Sequence, residues 1–107
     1  MRSRVFEAAK GLALCALLAT PAAWAATPEQ MARDAGCLSC HSINEKVVGP
    51  AYKLVADKYR GQSDAVSHLV QSVRNGSKGA WGRIPMPANN SLAEAEVKTI
   101  VEWVLAR

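Results

Sequence analysis

The stretch Cys37-Leu38-Ser39-Cys40-His41 constrains this 107-residue chain more than any other. C-x-x-C-H is the attachment signature of a c-type haem. Two thiols at this spacing can each add to a vinyl group along one porphyrin edge. The histidine that follows is then held under the iron as the proximal ligand. Other readings of the pattern do not suit the rest of the chain. A zinc ribbon needs a second Cys or His pair, and no cysteine follows Cys40. A thioredoxin-like C-x-x-C belongs beside a strand–helix unit, and no strand pattern surrounds this one. A disulfide framework requires more cysteines than remain once the leader is removed.

That leader is residues 1–25. Arg2, Arg4 and Lys10 give it a basic start, and Gly11 to Thr20 is apolar. Pro21 breaks the run, and Ala23-Trp24-Ala25 supplies a small-x-small cleavage site. The apolar run is too short for a spanning helix, and Arg2 and Arg4 are not adjacent as a twin-arginine signal requires. The expected route is therefore the general secretory pathway to the periplasm, with haem attached outside the cytoplasm. Cys15 lies in the apolar run behind the bulky Leu14, a poor context for lipid modification, and reads as a neutral residue of a discarded peptide.

The mature domain, residues 26–107, has 82 residues. A core of side chains alone is marginal at this length, and a covalently held porphyrin supplies the missing apolar interior. Removing the leader leaves ten basic and eight acidic residues, a formal charge of +2. The basicity of the whole chain is thus partly leader and gives no argument for nucleic-acid binding.

The pattern predicts an all-α fold of about four helices wrapped around one haem. Thr27-Pro28-Glu29-Gln30 opens the first helix with a capping box and a proline at the first helical position. That helix delivers the attachment motif near Gly36, with Met31 as packing. Ala51 to Tyr59 forms a second helix. A third is capped by Ser63, shows Val66, Leu69, Val70 and Val73 on one face, and ends at Asn75-Gly76. His68 lies off that face and reads as a surface histidine. Ser91 and Glu94 form a capping box for the last helix. Its apolar face of Ala93, Val97, Ile100, Val101, Val104 and Leu105 packs steeply across the first helix.

Two loops carry the remaining chemistry. A ligating histidine donates its other ring N–H to a fixed acceptor, and the carbonyl of Pro50 is the candidate. Gly49-Pro50 equally reads as a turn before the second helix. In the second loop Met86 lies between Pro85 and Pro87, where no regular helix interior is allowed. It follows His41 by 45 residues in a chain that needs a sixth iron ligand, so its thioether is the candidate. Asn89 is either a donor to the Met86 sulfur or an ordinary polar loop residue. Trp81 is a donor to a haem propionate, a core aromatic, or both.

Cys37-x-x-Cys40-His41, Val48-Gly49-Pro50-Ala51-Tyr52, Asn75-Gly76-Ser77, Trp81-Gly82, Ile84-Pro85-Met86-Pro87 and Trp103-Val104-Leu105 occur in order along the mature chain. Together they resemble the small bacterial class I cytochromes c of the cytochrome c-551 (cytochrome c8) type. The resemblance implies one covalent haem c, His/Met ligation and a monomeric periplasmic electron carrier rather than an enzyme. It implies redox-protein partners: a donor such as a quinol–cytochrome c reductase, and an acceptor such as nitrite reductase, a terminal oxidase or a cytochrome c peroxidase. No nucleic acid and no stable membrane anchor are expected. Relatives often place a proline where Arg83 stands, and some place a propionate-binding arginine where Ser72 stands. An open sixth site, as in a haem sensor or a peroxidase-like protein, is the rival reading.

Overall fold

The computed structural model describes residues 25–107 together with Gly11, Ala13, Cys15 and Ala16. The leader expected over residues 1–25 therefore lies for the most part outside the described residues. Four α-helices follow in order: α1 (Pro28–Asp34), α2 (Tyr52–Tyr59), α3 (Ala65–Asn75) and α4 (Glu94–Leu105). A single 3₁₀ turn, Cys37–Ser39, lies between α1 and α2. No strand occurs among the described residues, only two isolated bridges, His41 with Lys46 and Ser77 with Met86.

Helix α1 starts as its sequence dictates. The Thr27 hydroxyl accepts from the Gln30 N–H at 3.2 Å, and the Thr27 N–H donates to Gln30 Oε1 at 3.1 Å. Gly36, at φ 82°, then turns the chain out of the helix. A left-handed residue here is best filled by glycine, which lacks the Cβ that would clash with the following carbonyl.

Two caps differ from expectation. At α3 the cap position is Asp64, not Ser63, and no side chain caps it. The Ala65 N–H instead donates to the Gln62 carbonyl at 3.3 Å, so a tight backbone turn satisfies a group that a cap would otherwise serve. At α4 the cap position is Ala93, and the Glu96 carboxylate accepts from its N–H at 3.2 Å. Alanine has no side-chain oxygen, so only this half of a capping box forms. Ser91 is engaged elsewhere: its N–H and hydroxyl both donate to Asn89 Oδ1, at 3.0 and 2.7 Å. An Asx-type turn has outcompeted the cap.

Helix α4 packs against α1, α2 and α3. One apolar cluster joins Ala32 of α1, Tyr52, Val55 and Tyr59 of α2, Ala65 of α3, and Ile100 and Val104 of α4. A second joins Val70 to Val97 and Val101. Val97, with none of its surface exposed, is the largest fully buried side chain. The inner faces are thus mostly alanine and valine, and among the described residues no polar or charged residue is buried apart from the two tyrosines, Tyr52 and Tyr59. Side chains this small cannot fill the space between four helices to interior density. Val97, Ile100, Val101 and Val104 accordingly face a cavity of about 620 Å³.

Candidate metal centre

The attachment motif reaches the cavity through local backbone geometry. The Cys37 carbonyl accepts from the N–H groups of Cys40, at 3.2 Å, and His41, at 3.0 Å. This one tight turn brings Cys37, Cys40 and His41 to the same cavity wall. Cys37 is half-buried. Burial raises its thiol above the usual range, against a smaller lowering by hydrogen bonds from its own backbone and from Tyr52. Tyr52 is pushed up as well, first by burial and then by the neighbouring Cys37 sulfur.

His41 is held from three directions. Its Nδ1 lies 2.8 Å from the Pro50 carbonyl oxygen. A carbonyl can only accept, so Nδ1 carries the proton and Nε2 keeps its lone pair for a metal. The Tyr52 ring stacks on the imidazole with centroids 5.0 Å apart and planes 22° from parallel. The third contact is Gly49. A Cβ at that position would lie 2.5 Å from His41 Cε1 and 3.0 Å from Nε2. The backbone of Gly49 is drawn in because the Cys40 carbonyl accepts from both Val48, at 3.1 Å, and Gly49, at 2.7 Å. Gly49-Pro50 is therefore a turn and a histidine support at once.

Met86 comes to the cavity from the other half of the chain. The Ser77 N–H donates to the Met86 carbonyl at 3.0 Å, and the Met86 N–H donates back to the Ser77 carbonyl at 2.8 Å. The Asn89 N–H donates to the Val73 carbonyl at 2.8 Å. These bonds fasten the methionine segment along the end of α3. Gly76 makes the approach possible. It sits at φ 80°, and a Cβ there would meet the Met86 carbonyl oxygen at 2.8 Å.

The other expected residues fall as follows. Trp81 lines the cavity and is 39% exposed, so it is a rim residue more than a core aromatic. Lys58 Nζ lies 4.5 Å from its ring centroid. Asn89 is half-buried, and its Nδ2 donates to the Ala35 carbonyl at 3.2 Å, tying the methionine segment to α1. An amide has two N–H groups, so one donor serves Ala35 and the second is the one that a bond to the Met86 sulfur would use. Ser72 lines the cavity, with its hydroxyl donating to the His68 carbonyl at 3.1 Å. His68 Nε2 faces the Tyr59 hydroxyl at 3.3 Å and is not among the cavity-lining residues.

Sequence reasoning missed the supports contributed by Gly49, Gly76, Tyr52 and Lys58. For the glycines the signal was present but ambiguous, since Gly-Pro and Asn-Gly also mark ordinary turns. For Lys58 there was none, because its partners are 22 and 23 positions away.

The residues fit a covalently held metalloporphyrin. One apolar cavity in the range of cofactor sites carries two thiols, an imidazole with its lone pair left free by Pro50, and a thioether. The set combines nitrogen and soft sulfur donors, as iron in a tetrapyrrole accepts.

A family model described as cytochrome c matches residues 25–107. The chain is 47% identical over 103 residues to cytochrome c-551 of Pseudomonas aeruginosa, covering 92% of this chain and 98% of that protein. It is 45% identical over 78 residues to cytochrome c-552 of Hydrogenobacter thermophilus, covering 73% and 79%. Among solved structures, wild-type cytochrome c552 of Nitrosomonas europaea superposes with a TM-score of 0.71 at 40% identity, covering 73% of this chain and 96% of that one.

Proposed function

Since the chain belongs to the cytochrome c family, we propose that it is a periplasmic monohaem carrier in a respiratory or denitrification chain, with iron held between His41 and Met86. Relatives in this family are electron carriers with one covalent haem c, and the protein is an electron-transfer protein, not an enzyme. Cys37 and Cys40 form the two thioethers in this reading. The observation that supports it is the 2.8 Å contact from His41 Nδ1 to the Pro50 carbonyl, which leaves Nε2 available to a metal at a cavity that Met86 also lines.

The bound haem supplies a one-electron iron couple. The protein's residues decide how easily that couple works. Pro50, Gly49 and Tyr52 keep the His41 ring in one orientation, so the ligand need not rearrange between oxidation states. Pro85, Pro87 and the Ser77 pair do the same for Met86. The Met86 thioether favours the reduced state relative to a second imidazole, which points to a high potential among c-type haems. The valine-rich wall acts in the same direction by disfavouring net charge in its interior. Trp81 offers an indole N–H to a propionate at the rim.

Partners dock at the exposed haem edge in this reading. Val47, Val48 and Ile84 are exposed there, and Lys46 and Arg83 line the cavity beside them. Leu38 contributes little to this surface, being half-buried against the main cluster. A basic rim fits acidic faces on a quinol–cytochrome c reductase as donor and on nitrite reductase, a terminal oxidase or a cytochrome c peroxidase as acceptor. Among the described residues no helix is long and apolar enough to cross a membrane. Secretion by the general pathway rests on the leader pattern of residues 1–25.

Two measurements test the reading. A haem stain should survive denaturing electrophoresis and be lost when Cys37 and Cys40 are both replaced by alanine. The reduced native protein should not bind carbon monoxide at neutral pH. Rapid stoichiometric binding would favour an open-site sensor or peroxidase-like protein.

A further inference from the structure

Between the paired Ser77 and Met86 the chain makes an excursion, residues 78–85, that carries Trp81 and Arg83. The backbone fastens only its base. Gly79 and Gly82 sit at φ 75° and 123°, and a Cβ built on either would meet nothing within 4 Å. Among the described residues a single hydrogen bond joins this excursion to another element. Lys58 Nζ donates to the Ala80 carbonyl at 3.1 Å. The same ammonium lies 4.5 Å from the centroid of the Trp81 ring.

Lys58 stands in the last turn of α2. That helix is well anchored, with Val55, Ala56 and Tyr59 all buried. The Lys58 carbonyl itself accepts from Gln62 Nε2 at 3.1 Å. The Lys58 ammonium, carried on a well-anchored helix, therefore grips two consecutive residues of an otherwise loosely held loop. A cation over the face of an indole also leaves the N–H at the ring edge free for another acceptor.

We propose that Lys58 is a positioning residue that latches the ligand loop, and that this latch sets how often Met86 yields the iron to an outside ligand. The proposal rests on the reading of Met86 as the sixth ligand. Opening the loop breaks a charged hydrogen bond and a cation–π contact together. At an exposed site these shift the closed-to-open ratio by about tenfold.

The test is an imidazole titration of the ferric holoprotein, followed by loss of the far-red sulfur-to-iron(III) band. Lys58→Met keeps the apolar stem and removes the charge. It should bind imidazole about tenfold more tightly than the wild type. Lys58→Arg, which can donate to Ala80 and stack on Trp81, should restore the wild-type value. Lys58→Gln keeps a donor without the charge and should fall between. A lysine with a merely structural role would lower the thermal midpoint of Lys58→Met and leave its imidazole affinity at room temperature unchanged. That unchanged affinity, with the band present in the wild type, overturns the latch alone. A wild-type protein without the band overturns Met86 ligation, and the latch falls with it. Should Lys58→Met not accumulate as holoprotein, Lys58→Gln decides by the same criterion.

Discussion

Replacing Gly49 by alanine should disturb the iron site through the histidine and not through the backbone. Gly49 is not among the glycines with positive φ, so alanine meets no conformational penalty there. The added methyl would lie 2.5 Å from His41 Cε1, 2.9 Å from Nδ1 and 3.0 Å from Nε2. Reaching an ordinary contact requires the ring to move by roughly 1 Å in a packed interior. The ring cannot do so and also keep its 2.8 Å bond to Pro50 and its stacking on Tyr52. Overpacking costs about 1–3 kcal/mol, and loss of the hydrogen bond adds about 1 kcal/mol. A loss of about 2–4 kcal/mol lowers the melting temperature of a domain this small by roughly 8 °C or more. The assay is thermal unfolding of the ferric holoprotein followed in the haem absorbance. Gly79→Ala is the comparator: it strains φ but meets no neighbour, so it should cost only about 1–2 kcal/mol. Equal stability of Gly49→Ala and wild type, with unchanged spectra, would refute this account of the histidine support.

Three further outcomes are expected. Gly76→Ala combines a left-handed φ with a 2.8 Å approach to the Met86 carbonyl, so it should destabilise by about 2–4 kcal/mol and weaken the far-red band; a band of full intensity would show that Gly76 does not position Met86. Arg83→Glu should lower the association rate with an acidic redox partner and flatten its salt dependence while shifting the potential little, and an unchanged rate in low-salt stopped flow would remove the basic-rim docking. Tyr52 holds its proton more tightly folded than unfolded, chiefly because it is buried. The unfolded chain therefore loses that proton first, stability should fall as pH rises past about 10, and Tyr52→Phe should remove that part of the fall; identical alkaline slopes in urea unfolding of the two ferrous holoproteins would count against it.

Much of this site was legible because its chemistry is local. The attachment motif spans five consecutive residues, and the capping box of α1 spans four, so residue types alone specify both. The helical faces followed largely from spacing: Val97, Ile100, Val101 and Val104 are buried as their periodicity requires, whereas Ala93, expected on the same face, is the exposed cap residue ahead of α4. The Met86 segment was marked by flanking prolines that forbid a helix. What sequence did not disclose depends on approach between distant parts. The Ser77–Met86 pair and the tie from Asn89 to Ala35, 54 positions apart, leave no pattern in either segment. The two misassigned caps failed for a related reason. Ser63 and Ser91 are both suitable residue types, but a backbone turn and the Asn89 side chain satisfy the local donors first. Gly49 shows the remaining ambiguity: a turn glycine and a glycine beneath an imidazole ring look alike until the histidine is in place.

The central claim is that one imidazole and one thioether hold the same iron. The far-red absorption of the ferric holoprotein tests it most directly, read for wild type beside Met86→Ala. The account predicts a sulfur-to-iron(III) band in the wild type that disappears from the variant. A wild type without the band, or a variant that retains it, would contradict the account.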